Sequence, residues 1–228
     1  MTFTDIKNRT YFLTNTDSTQ YPIADLVISA NRAVERIVSL INRCDSKWQW
    51  DDLNQTDLPI GTTALVSGQK DYSLQTSHLT IDRVEVKDSA GNWHRVNPID
   101  RTAIEGQSLT DYKKSNGLPE EYDLIGSSVF LYPSPNYSQA SSLKIYFTRG
   151  PVAFDSDDTT ETPGFNSLFH DLIPLWIAYD YAIAKGKDNP EKLFKEIERK
   201  ERELYDFYGL RDRDYRPRLT TSKGDSNK

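Results

Sequence analysis

The stretch FNSLFHDLIPLWIAYDYAIAKGKDNPEKLFKEIERKERELYDFY, Phe165–Tyr208, reads as two helices around a short break. In its first part Leu168, Leu172, Leu175, Trp176, Tyr179, Ala182 and Ile183 recur three and four residues apart. That spacing stacks them on one face of a 3.6-period helix, and the face needs a cover. Asp188, Asn189 and Pro190 interrupt the pattern, and Pro190 suits the first turn of the next helix, where its missing N–H is no loss. Leu193, Phe194, Ile197, Leu204 and Phe207 then form an apolar stripe among Lys, Glu and Arg, and a basic tail follows.

The natural partner for the first helix lies upstream. Ile23, Leu26, Val27, Ala30, Val34, Ile37, Val38 and Ile41 form a long i, i+3, i+4, i+7 ladder that opens at Pro22, with Asn31, Arg32, Glu35, Arg36, Asn42 and Arg43 on the opposite face. Between the helices the periodicity changes to short alternating runs. Thr62–Val66 and Asp71–Leu74 flank Ser67, Gly68 and Gln69 as a hairpin, and Leu79–Lys87 and Asn92–Val96 flank a second turn that ends at Gly91. Tyr122–Ile125 and Ser128–Tyr132 flank Gly126, Pro133 and Pro135 stop that strand, and Leu143–Arg149 supplies the last one. Asp100–Leu109 reads as a short helix, while Thr110–Pro119 and Tyr137–Ser142 read as loops.

The expected fold is therefore α+β: a helical bundle, its N-terminal helix packed on the C-terminal helices, with an inserted antiparallel β barrel or sandwich. The bundle takes residues 1–59 and 151–209, the β domain 60–150, and a flexible tail 210–228. In the tail six basic residues face three aspartates, a net charge of +3 before the terminal carboxylate, with too little apolar surface to fold alone.

Composition narrows the function. A net charge of −6 and a pI near 5.2 argue against general nucleic-acid binding, which needs basic charge to displace counterions. The 13 Tyr, 9 Phe and 4 Trp against one Met provide large contact surfaces, inside the fold or between chains. Cys44, the only cysteine, has no disulfide partner in the chain and reads as a small buried hydrophobe. Residues 1–10 hold no apolar run, so neither a secretory signal nor a membrane span is expected there.

No catalytic pattern emerges. His78, His94 and His170 are the only histidines, no Gly-x-Ser-x-Gly elbow surrounds a serine, and paired zinc ligands and a Gly-rich phosphate loop are both missing. Asp51, Asp52 and Asp57 lack the ordered ligand spacing of a Ca²⁺ loop and read as caps and solvated loop charges. Trp48, Trp50 and Trp93 read as core or interface residues, with sugar stacking as the other reading. The acidic segment Asp155–Glu161 reads as a solvated linker.

Three stretches carry a family resemblance: DLPIGTTALVSGQKDYSL at Asp57–Leu74, GLPEEYDLIGSSVFLYPSPN at Gly117–Asn136 and LFHDLIPLWIAYDYAIAKG at Leu168–Gly186. With the opening helix they span nearly the whole chain, and in texture and layout it resembles the head-to-tail adaptor (connector, or head-completion) proteins of tailed bacteriophages. The resemblance implies a structural, non-catalytic protein without cofactor or metal, made in the host cytoplasm and built into the virion neck. It implies a homo-oligomeric ring, commonly dodecameric, between the portal protein and a downstream neck or tail protein. DNA only passes through the channel, for whose lining Asp155–Glu161 is a candidate, and no membrane is involved. Adaptors of this kind thread a C-terminal segment into the portal, a role that would fall to Leu210, Arg211, Arg213, Tyr215, Arg216, Pro217 and Arg218. The alternatives are a tail-completion or minor tail protein, and a carbohydrate-binding or hydrolytic β domain.

Overall fold

A computed structural model describes residues 1–44, 50–104, 108–109, 111–187 and 190–210. Four helices and seven strands appear among them, so the class is α+β. By contact the chain divides into two compact units. The first takes Met1–Gln49, Phe154–Glu161 and Asn166–Lys228, and the second Trp50–Ala153 and Thr162–Phe165.

The first unit holds α1 (Phe3–Thr14), α2 (Ile23–Asn42), α3 (Leu172–Ala184) and α4 (Pro190–Gly209). Its centre is α3, which touches the other three. The residues from Leu172 through Ala178 are all buried, so the first two turns of this helix are covered on every side and not along one face as its spacing predicts, while Asp180, Ile183 and Ala184 further on are exposed. It also starts later than expected. Leu168 is two-thirds exposed in a 3-10 turn, Ser167–Phe169, and Pro174 explains the boundary. A proline within the first helical turn sacrifices no hydrogen bond, whereas an earlier start would drive its ring into the carbonyl of His170. On α2 most of the predicted ladder is buried, with Leu26, Ala30, Val34, Ile37, Val38 and Ile41 all covered, while Ile23 at its start is exposed and Val27 half-buried.

The helix α1 has no counterpart in the sequence reading. Its buried positions are Phe3, Ile6, Thr10 and Thr14, and two threonines in an apolar stripe blur the period. A capping box marks its start: Thr2 Oγ1 accepts the Asp5 N–H at 3.2 Å, while the Asp5 carboxylate accepts the Thr2 N–H at 2.8 Å. The Asp155–Glu161 segment runs against this end. The N–H of Phe3 donates to the Glu161 carbonyl at 2.7 Å, the rings of Phe3 and Phe154 stack, and Asp155, Asp157 and Glu161 stay exposed.

The second unit is one seven-stranded sheet: β1 (Ile60–Leu65), β2 (Asp71–Ser73), β3 (His78–Lys87), β4 (Trp93–Pro98), β5 (Glu121–Ile125), β6 (Ser128–Tyr132) and β7 (Gln139–Arg149). The strand order is β1-β7-β3-β4-β5-β6-β2. Leu65, Tyr72, Val84, Val86, Val96, Tyr122, Val129, Leu131, Leu143 and Ile145 join in one core to which every strand contributes, so the sheet curls around its own apolar face.

Two of the three predicted hairpins form, β3–β4 and β5–β6. The first does not. β1 pairs with β7 and β2 pairs with β6, which puts them on opposite edges of the sheet. The connection between them is drawn elsewhere: Ser67 N–H donates to Ser138 Oγ and Gly68 N–H to the Pro135 carbonyl. The sheet is also not purely antiparallel, because the long connection after β4 returns β5 alongside it in parallel. Of the helix expected over Asp100–Leu109, the described residues show a 3-10 turn, Arg101–Ile104. Gln139–Ser142, expected in a loop, begins β7.

Candidate functional site

The segment expected to bind a partner starts where α4 ends. Tyr208 is buried there, and its hydroxyl accepts the Asn166 N–H at 3.1 Å. Phe169 packs edge-on against Phe207 and at a tilt against Tyr208, while Leu204 is fully covered one turn earlier. The end of α4 is thus clamped to the 3-10 turn that precedes α3. Leu210 follows at 56% exposure, and Leu168 on that turn is likewise exposed, so apolar surface remains at this end. Arg211, Arg213, Tyr215, Arg216, Pro217 and Arg218 lie outside the described residues.

The position of α4 is fixed from its middle as well. Trp176 Nε1 donates to Glu201 Oε1 at 3.1 Å, and the Arg36 guanidinium lies 3.4 Å from the centre of the Trp176 ring. One tryptophan therefore ties α2, α3 and α4 through a cation–π contact and a charge-assisted hydrogen bond. Asp171 makes a looser pairing with Arg9 and Lys200, each at 3.7 Å. The outer face of α4 is charged: Arg199 pairs with Glu196 and with Glu203 along the helix.

The acidic turn of the second unit, read as caps and solvated loop charges, holds one aspartate that is a buried cap. Asp57 is exposed, but Asp52 is only 1% exposed, and its carboxylate accepts the N–H groups of Asn54 at 2.9 Å and Val152 at 2.6 Å. Gly164 is pressed against it so closely that a Cβ there would lie 1.8 Å from Asp52 Oδ1. Arg149, itself buried, sits 2.8 Å from Asp51 and donates to the Asp57 carbonyl at 2.7 Å. The Asp51 contact is an ion pair at an angle that leaves Arg149 Nε without a proper hydrogen bond. The turn is a structural clasp. The only hint in the sequence is the pairing of an aspartate with a distant Pro-Gly, which is too common to single out.

Between the two sheet edges runs a groove that the expected hairpin concealed. Thr62 and Ile60 on β1 face Tyr72 and Ser73 on β2, with Gln69, Gln75 and His78 completing the wall. The His78 ring stacks on Phe147 with centres 3.7 Å apart, burial pushes its pKa down, and its Nδ1 has no hydrogen-bond partner among the described residues.

The remaining candidates are structural. His94 pairs with Asp88 at 2.7 Å in the β3–β4 hairpin, and His170 is buried. Cys44 is half-buried, its thiol pKa raised by that burial. Trp50 is buried, the ring of Trp93 is covered by Lys144 at 4.0 Å, and Trp48 lies outside the described residues. Among the described residues no group of acidic, His or Cys side chains could hold a metal ion, and no helix is long and apolar enough to cross a membrane.

The family described as SU10 adaptor protein matches the chain over residues 1–222. No curated protein matches it.

Proposed function

Because the chain belongs to the SU10 adaptor protein family, and so is a phage adaptor and a structural part of the virion, we propose that it is the head-to-tail adaptor of the neck. In this reading it assembles as a dodecameric ring between the portal and the next neck or tail protein, and docks onto the portal through Leu210, Arg211, Arg213, Tyr215, Arg216, Pro217 and Arg218. The helices of the first unit form the body of the ring, the strands of the second a β domain whose sheet closes further on assembly, and residues 210–228 the docking tail. The protein has no catalytic role, and DNA passes through the ring without being held.

The observation that carries the reading is the extent of the family match. It runs to residue 222, past the clamped end of α4 and through the whole of the Arg-rich segment, so this segment belongs to the adaptor module. The chemistry of the segment agrees. Arginine forks make paired hydrogen bonds to carboxylates, and Tyr215 and Leu219 supply apolar bodies for pockets. The tail leaves from a fixed root at Tyr208, so its reach is defined on the ring.

The test is deletion of Arg211–Lys228. The truncated protein keeps its circular dichroism and thermal transition but no longer co-sediments with portal rings, and native mass spectrometry of the intact protein with portal gives a dodecamer. Unchanged portal binding by the truncated chain overturns the docking assignment. Binding to tail tube in preference to portal transfers the protein to the tail-completion class.

A further inference from the structure

The register of the sheet shows which backbone groups line the groove between β1 and β2. On β1 the Phe147 N–H donates to the Pro59 carbonyl, so Pro59, Gly61 and Thr63 turn their hydrogen-bonding groups toward β7. Ile60 and Thr62 turn theirs away. On β2 the Leu131 N–H donates to the Lys70 carbonyl and the Leu74 N–H to the Ser127 carbonyl, so Lys70, Tyr72 and Leu74 face β6. Asp71 and Ser73 face the other way. The Ile60 N–H is taken by the Leu58 carbonyl and the Asp71 carbonyl by Gln69, which leaves the Ile60 carbonyl, the Asp71 N–H and both groups of Thr62 and Ser73 directed to the groove. Among the described residues no ladder joins the two edges.

Two facing strand edges with unspent donors and acceptors are a template for an added strand. The pairings around the sheet, one parallel and the rest antiparallel, make β1 and β2 antiparallel to each other. A single inserted strand would pair with both and close the sheet. The polar wall and the unpartnered Nδ1 of His78 suit a polar guest more than an apolar one. Charge selects its sign: Asp57 lines the groove, the exposed Asp71 lies on β2, whose Tyr72 and Ser73 line it, and among the described residues no lysine or arginine lines it. Arg149 reaches Asp57 from a buried position, but Asp51 holds the same guanidinium, so two carboxylates share one cation.

We infer that the groove between β1 and β2 is a strand-acceptor site for an extended, basic, proline-free segment of a different neighbouring protein. The site belongs to the second unit.

A short capped peptide of alternating lysine and threonine, titrated into the full chain, tests this by fluorescence anisotropy and amide exchange. Binding with new protection at Thr62, Asp71 and Ser73 is expected, and the glutamate–threonine counterpart should bind at least about tenfold more weakly. Thr62→Pro and Ser73→Pro each remove a groove-facing N–H and leave the ladders to β7 and β6 untouched. Each should weaken the basic peptide about tenfold, the worth of one interstrand hydrogen bond. Asp57→Lys with Asp71→Lys should reverse the charge preference and guards against a proline variant that fails to fold. No binding of either peptide, equal binding of both, or protection elsewhere overturns the site. Self-association of the free protein that Thr62→Pro abolishes overturns the choice of guest in favour of a second copy.

Discussion

Gly164→Ala isolates the contact that holds the acidic turn. The backbone of Gly164 is not left-handed, so alanine meets no conformational strain, and on chain entropy alone the change would stabilise by about 0.5 kcal/mol. The obstacle is steric. A Cβ would sit 1.8 Å from Asp52 Oδ1 and 2.3 Å from Cγ, where ordinary contact begins near 3.4 Å, so the carboxylate must retreat by well over an ångström. That movement breaks its bonds to the N–H groups of Asn54 and Val152. A hydrogen bond to a charged group contributes about 1.5–3 kcal/mol, and because Asn54 and Val152 are exposed and regain water, roughly half of the two is lost for good. The net cost, after the entropic gain, is about 1–2.5 kcal/mol, to be read from urea denaturation followed by fluorescence of the buried Trp50. Asp52→Ala breaks the same bonds, so in that background Gly164→Ala should be neutral or slightly stabilising. A cost below about 0.5 kcal/mol for Gly164→Ala alone, or strict additivity with Asp52→Ala, refutes the clasp.

Tyr208→Phe removes only the hydroxyl that accepts the Asn166 N–H and should cost about 1 kcal/mol by chemical denaturation; a variant as stable as the parent would show that the end of α4 is not clamped there. Trp176→Leu loses both the bond to Glu201 and the ring under Arg36 and should cost about 3 kcal/mol, after which Arg36→Ala removes only its looser 3.8 Å pairing with Glu201 and adds under about 1 kcal/mol; full additivity of the pair would mean that Arg36 acts elsewhere. The hydrogen bond from His94, helped by the Asn92 N–H, holds the Asp88 carboxyl down to about 2 from its ordinary value near 3.8. The sign follows from linkage. A depressed carboxyl contributes stability that is complete above pH 4 and is lost as the pH falls toward 2, and carbon-detected NMR titration of His94→Ala should show Asp88 moving back up.

Much of the fold was legible because its signals are local. The α2 ladder, the α4 stripe and the hairpins around Gly91 and Gly126 are specified by residues a few positions apart, and each forms. The turn residues Ser67, Gly68 and Gln69 carry the same hairpin signature, yet β1 and β2 separate: β1 pairs with the eleven-residue β7 and β2 with β6, both from more than fifty residues away. Turn chemistry states that the chain reverses, not whom the strands then pair with. The helix α3 shows the reverse problem. Its first turns are covered on all sides and have no polar face, so reading one apolar stripe from it recovers the helix and misses Ile173, Pro174 and Ile177 as core.

The sites follow the same division. The expectation that the Arg-rich segment after α4 binds a partner rests on composition alone, its charge and low apolar content, and from Arg211 onward it lies outside the described residues. The clasp and the groove were not legible. Asp52 differs from Asp57 only in what surrounds it: five positions apart in one turn, the first is 1% exposed and bonded to backbone 100 residues away, while the second stands in solvent. A carboxylate's role is set by which amides converge on it, and that convergence exists only once the two ends of the sheet region meet. The groove is more remote still from side-chain identity. Its recognition elements are the backbone groups of Ile60, Thr62, Asp71 and Ser73, which every residue type carries, and only the parity of two ladders decides that these point outward. A one-residue slip in either ladder would turn the same groups inward, so the acceptor site is a property of register before it is one of sequence.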